Sequence, residues 1–217
     1  MKPARLIFAL PAAGLLCWAA GAATAQSPAP DEIAAREARI RAMHASERPI
    51  AAGDSYWIEE LTWLEVRDRI REGWTTVIIP TGGVEENGPY ISTGKHNVIL
   101  QSLCPSIAAK LGNALCAPIV KFVPEGSLEP PSGAMRFPGS ITLQDSTYEA
   151  LLEDIAMSLK VGGFTDIVLI GDSGGNQDGM HNVAVRLNER WQGTGIQAHF
   201  VREFYTPGWE ETEKYTK

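Results

Sequence analysis

Glu85, Glu86, Asn87, Tyr90, Lys95 and His96 fall within twelve residues. They follow an apolar run, TTVIIP, that reads as a buried strand, so a loop leaving the end of that strand can bring a carboxylate and an imidazole together. Glu85 and His96 in that pattern are suited to binding a divalent metal ion. The same residues also fit a plainer arrangement, in which the loop carries solvated charges and His96 caps the next helix. A second polar cluster, Asp172 and Ser173, ends another apolar run, IVLI. The backbone amides of Gly174, Gly175 and the following helix start could hold an anion or oxyanion there.

The elements that must position these groups alternate. Thr62 can cap a helix over residues 63–72, and residues 75–80 form a strand. A helix from about 98 to 111, a strand over 115–123, a helix over about 146–161 and a strand over 166–170 follow. A helix through Trp191 and a last strand over 197–201 complete the series. Strands separated by helices of ten or more residues pair in parallel, with helices on both faces. The expected fold is therefore α/β, a three-layer α/β/α arrangement with a mostly parallel sheet. Ligands of such sheets bind beyond the carboxyl ends of the strands. Three polar, Gly-rich loops lie there: residues 81–97, 124–139 and 171–179.

The 217 residues are 44% hydrophobic and 21% charged, which describes a globular chain with a real core. With 19 Lys and Arg against 26 Asp and Glu, the net charge of −7 excludes a broad electrostatic grip on nucleic acid or anionic lipid. Small molecules or proteins are the expected partners, a small-molecule substrate first. Lys2 and Arg5, the uncharged run over residues 6–20 and Ala23-Thr24-Ala25 read as a signal peptide over residues 1–25. That apolar run is too short for a stable membrane anchor. Residues 26–57 are expected to be an arm with a helix, available for homo-oligomer contacts, and residues 58–217 the α/β domain. The exported chain, periplasmic or extracellular, would carry −9. In that oxidising space Cys104 and Cys116 could pair, or remain buried thiols.

Gly171-Asp172-Ser173-Gly174-Gly175 looks like the nucleophile segment of trypsin-like proteases, and also like the strand-to-turn serine of SGNH-type esterases. A serine-hydrolase reading makes Ser173 the nucleophile, but His181 lies just eight residues downstream on the same helix, badly placed as its base. A turn-forming Asp and Ser at a helix start is the alternative.

Taken together, three segments resemble the creatininase (creatinine amidohydrolase) family. They are Pro80-Thr81-Gly82-Gly83-Val84-Glu85-Glu86-Asn87-Gly88-Pro89-Tyr90, Phe137-Pro138-Gly139-Ser140 and Gly171-Asp172-Ser173-Gly174-Gly175-Asn176. Members read P-x-G-S-x-E-Q-H-G-P-H after a strand, then F-P-G-T, then N-G-H-G-G-N. The resemblance implies a creatininase-like fold and a divalent metal, zinc or manganese, whose bound water attacks an amide or cyclic-amide carbonyl. Of the family's ligands only the Glu maps unchanged, to Glu85. Asn87 and Ser173 stand where the family has His, His96 stands where it has Asp, and Ala134 or Met135 lies where another His is usual. The family's C-terminal site segment has no counterpart before Lys217. What the resemblance leaves is one metal ion held by Glu85, His96, Asp172 and Asn87, with Glu86 as general base. Tyr90, Lys95, Arg136 and Asn176 would then contact the substrate. The alternatives are a metal-free, non-catalytic relative that binds a small molecule or a partner protein, and a serine hydrolase using Ser173.

Overall fold

In the computed structural model, residues 29–206 are described. The signal segment expected at 1–25 lies outside them. The chain divides into two units, the first ending at Ser46 and the second beginning at Glu47. In the first, helix α1 spans Pro30–Ala45, with Pro30 in its first turn and the Glu32 carboxylate accepting from the Ala29 N–H at 3.2 Å. Among the described residues no helix is long and apolar enough to cross a membrane.

The second unit alternates helix and strand. Helix α2 (Trp63–Arg71) starts with a capping box. Thr62 accepts from the Glu65 N–H, and Glu65 accepts from the Thr62 N–H at 2.7 Å. Strand β1 (Thr76–Thr81), helix α3 (Lys95–Leu111), strand β2 (Ala114–Cys116) and helix α4 (Asp145–Gly162) follow. Strand β3 (Asp166–Gly171), helix α5 (Gln177–Arg190) and strand β4 (Gln197–Phe200) close the series. The sheet is parallel throughout, in the order β2-β1-β3-β4, and Pro80 and Thr81 pair with Ile170 and Gly171. The carboxyl ends of β1 and β3 therefore lie side by side, and the first and third polar loops leave from neighbouring points.

Two departures from the sequence expectation have local causes. The strand expected over 115–123 shrinks to three residues: the Ala117 N–H still reaches the Ile78 carbonyl, but Pro80 of β1 has no N–H for the next rung, and only isolated bridges at Val120 and Val123 continue it. Helix α3 begins at Lys95 rather than near Val98, so Lys95 and His96 ride on its first turn instead of in the loop.

Side chains alternate along β1 and β3, so the sheet buries both faces. Val77, Ile79, Ile167 and Leu169 pack with residues of α4 and α5. Ile78 and Ile170 pack on the other face, with Leu100, Cys104 and Ala108 of α3 and with Trp57. This is the three-layer order. On the α3 side the helix covers the β1–β2 half, and Val201 and Phe204 bound the β3–β4 half.

Cys104 and Cys116 form a disulfide that ties α3 to β2 across a Cα–Cα distance of 6.2 Å. Its reduction is expected to cost about 3 kcal/mol, the usual scale for closing a loop this short. Urea unfolding with and without reductant checks this, and an unchanged midpoint would refute it.

Candidate functional site

The first loop is fastened to its surroundings before its side chains are placed. Val84 pairs with Ile141 across an antiparallel bridge, and the Glu86 N–H donates to Ser140 Oγ at 3.1 Å. Asn97 clamps the Gly83 peptide, donating to its carbonyl at 2.8 Å and accepting from its N–H at 3.3 Å. Asn176 is fully buried behind the loop and donates to the carbonyls of Thr81 and Gly82 at 3.0 and 2.8 Å. It therefore holds the end of β1 to the third loop.

On this frame Glu85, His96 and Asp172 meet. His96 Nε2 lies 2.7 Å from Glu85 Oε1, and His96 Nδ1 lies 2.7 Å from Asp172 Oδ2. The imidazole thus bridges a carboxylate of the first loop and one of the third. Burial works against its charge, but Asp172 and Glu85 outweigh that, and the His96 pKa rises to about 9. At neutral pH both ring nitrogens carry protons and donate. The hydrogen bond from His96 in turn holds the Glu85 carboxyl below its ordinary range, against the opposing effect of burial.

A fourth group joins from the second loop. Glu125 is 7% exposed, close enough to Glu85 to share a hydrogen bond, and pushed up to about 9 by burial and by the Glu85 charge. Its backbone is fixed on both sides. Its N–H donates to Thr142 Oγ1 at 2.9 Å, and its carbonyl accepts from the Ala134 N–H at 3.0 Å. Two glycines make its approach possible: a Cβ on Gly83 would fall on Glu125 Oε1, and one on Gly175 on the Pro124 carbonyl oxygen. Tyr205, just after β4, stands with its hydroxyl against Gly174, and burial and the charges of Asp172 and Glu85 raise its pKa.

The other residues singled out by sequence lie around this group rather than in it. Glu86 closes its own turn, accepting from the Gly88 N–H at 2.6 Å, and Asn87 donates to the Glu85 carbonyl at 2.9 Å. Tyr90 is 97% exposed, and exposed Arg136 turns back toward the Gly133 carbonyl at 3.4 Å. Lys95 acts at a distance, through its charge on Glu85, His96 and Glu125. Ser173 is buried and its carbonyl accepts from Gln177 at 2.9 Å. Neither His96, with both nitrogens on carboxylates, nor His181, against Phe200, offers Ser173 a base. Nothing in the spacing points to Glu125 or Tyr205. A single Glu in a Pro- and Gly-rich loop reads as solvated, and only its burial marks it out.

The family model for creatinine amidohydrolase (creatininase) matches residues 59–217. The creatinine amidohydrolase of Pseudomonas putida is 27% identical over 116 residues, which is 54% of this chain and 44% of that protein. A manganese form of creatininase superposes with a TM-score of 0.60 at 22% identity, over 68% of this chain and 58% of that one. A zinc–zinc form of a glutamate-to-glutamine creatininase mutant gives 0.57 at 22% identity, over 69% and 58%. The fold is that of an α/β amidohydrolase, and the chain belongs to the creatininase family. It spans less than two thirds of the length of these relatives.

The metal of the manganese and zinc forms of creatininase can be tested against this chain's donors. Glu85 and Asp172 sit on opposite ring nitrogens of His96, so one ion reached by His96 can be shared with only one of them. Asn87 turns its amide to a carbonyl. Glu85, His96 and Asp172 meet only through the ring, and among the described residues no group of three His, Cys, Asp or Glu side chains is placed to hold one ion. As arranged, the donor set does not fit the metal centre.

Proposed function

We propose that this chain hydrolyses a C–N bond, of amide or cyclic-amide type, in a small molecule at the junction of its three loops, with Glu85 as the base. The observation that carries this reading is the Glu85–His96–Asp172 bridge, on a fold shared with amidohydrolases. Held by His96, the Glu85 carboxylate is fully ionised at neutral pH and fixed in orientation. It takes a proton from water as the hydroxyl joins the carbonyl carbon. The same proton then passes to the departing nitrogen, and Glu85 returns to carboxylate. Asp172 holds the imidazolium in place from the other side, and the Tyr205 hydroxyl faces the same space.

The test measures hydrolysis of creatinine and a panel of small linear and cyclic amides by purified protein, with and without chelator, beside Glu85→Gln. Turnover of one substrate class is expected to survive chelation and to fall by roughly 10²–10⁴-fold in the variant, the usual worth of a positioned base. Activity lost on chelation and restored by zinc or manganese would overturn the reading, as would an unimpaired variant. Substrate binding without any turnover would leave a small-molecule binding protein. The same reading takes the protein as exported, supported by the signal-like segment at 1–25 and by the Cys104–Cys116 bond. N-terminal mass analysis of material secreted by an expressing host checks this.

A further inference from the structure

We propose that the helix start in the third loop is an oxyanion subsite, in which the Ser173 hydroxyl, the first helix amides and the Tyr205 hydroxyl take the substrate's carbonyl oxygen as it gains charge. Ser173 is then a donor rather than a nucleophile. The subsite rests on the hydrolase reading for its substrate, but not for its capacity to bind.

Ser173 carries a hydroxyl that the fold leaves unused. The residue is 4% exposed and stands at the N-cap of the turn Gly174–Asn176, where a serine side chain ordinarily accepts from an amide of the first turn. Its hydroxyl makes no such bond. The turn is closed instead by the Ser173 carbonyl, which accepts from the Asn176 N–H at 3.3 Å and from Gln177 Nε2 at 2.9 Å. Among the described residues the hydroxyl meets no hydrogen-bond partner, and unlike the partnerless atoms of Asn176 and Gln177 it is not sealed from solvent. A polar group held this far out of water without a partner calls for one from outside the chain.

Further donors lie beside it. The turn runs straight into the 14 residues of α5, so the N–H groups of Gly174 and Gly175 open a long helix at its positive end and have no partner within it. Neither position has room for a side chain. A Cβ on Gly174 would lie 3.0 Å from the Tyr205 hydroxyl, and one on Gly175 would fall on the Pro124 carbonyl oxygen. Tyr205, protonated as a phenol is at neutral pH, thus sets its O–H against the first of the two glycines. On the other side of Ser173, Asp172 meets His96 at 2.7 Å and the same ring meets Glu85. With two carboxylates so near, a permanent anion gains little here, whereas a neutral carbonyl gains most when its oxygen becomes charged. As water adds, its oxygen bonds the carbonyl carbon, its proton goes to Glu85, and the C=O electron pair moves onto the oxygen held by these donors. The pair returns as the C–N bond breaks, and the nitrogen leaves with the proton from Glu85. The ligand class is therefore a neutral amide or cyclic amide presented carbonyl first.

Boric acid probes the subsite without a substrate, because it is neutral and trigonal and becomes a tetrahedral anion on taking up hydroxide. Its titration into nitrogen-15-labelled protein is expected to move the amide resonances of Gly174 and Gly175 saturably. Binding should weaken by about fivefold or more in Ser173→Ala and stay within about twofold in Ser173→Thr, which keeps the hydroxyl. On the hydrolysed amide, Ser173→Ala is expected to lower kcat roughly 10²-fold with KM within about threefold, and Tyr205→Phe to lower kcat about tenfold, the pattern of lost oxyanion donors. Circular dichroism checks that each variant is folded. Unmoved amide resonances, equal affinity for boric acid in Ser173→Ala, or covalent labelling of Ser173 by a fluorophosphonate overturns the proposal. Boric acid bound at these amides in a protein that hydrolyses nothing leaves the subsite as assigned and removes the hydrolase reading instead.

Discussion

Replacing His96 with alanine is expected to lower stability by roughly 3 kcal/mol at pH 6, the low end of the range for breaking a buried charge network. The low end applies because the Glu85 and Asp172 side chains keep 21% and 24% of their exposure, while His96 keeps 6%. Without the imidazolium, two carboxylates on separate loops repel each other across the space it occupied. The dependence on pH is the sharper readout. The histidine titrates near 6.5 when unfolded and near 9 when folded, so its stabilisation is fully present below about 6.5 and lost as pH rises through about 9. Urea unfolding of wild type and variant at pH 6, 7.5 and 9.5 should therefore show a gap that narrows with pH. A gap of constant size would mean that His96 packs as a neutral ring.

Gly175→Ala is the second change with a large expected effect, and it acts on backbone. Its Cβ would land on the Pro124 carbonyl oxygen, so the third loop and the Pro124–Glu125 segment must separate. The strain is expected to cost about 1–3 kcal/mol. Displacing the two loops, and with them Asp172 from His96, should cost more than tenfold in turnover while circular dichroism shows the fold intact. Gly162→Ala serves as the control. Nothing lies within 4 Å of a Cβ at that helical position, so this change should be neutral or slightly stabilising. Equal losses in the two variants would remove the contact between loops as the cause.

The layer order was readable because β1 and β3 are short apolar runs between helix-length segments, which leaves few other pairings. The first loop's content was readable for the same reason, since a strand end fixes where a loop starts. Residues 115–123 misled because their apolar content suits a strand while one proline denies it the ladder. Asn176 shows a different limit. Composition marks it as polar and near the site, but whether such a residue faces a ligand or ties down backbone depends on two carbonyls and a hydroxyl supplied by residues 81 and 82. Glu125 depended on burial that only two distant glycines permit. The role of His96 was half visible: its type and spacing suggested convergence with Glu85, but nothing in sequence said that Asp172 would take the second nitrogen and leave no ring atom free.

Helix α3 contains Pro105, which cannot donate to the carbonyl of Gln101, so the hydrogen-bond ladder is interrupted at mid-length. The disulfide leaves the helix from Cys104, inside the turn from Gln101 to Pro105 that lacks this bond. Eight residues at ~1.5 Å each place the bond some 12 Å below the imidazole. The rod that carries His96 is thus riveted to the sheet at its weak joint. The covalent tie holds the turn that the missing hydrogen bond leaves unsupported.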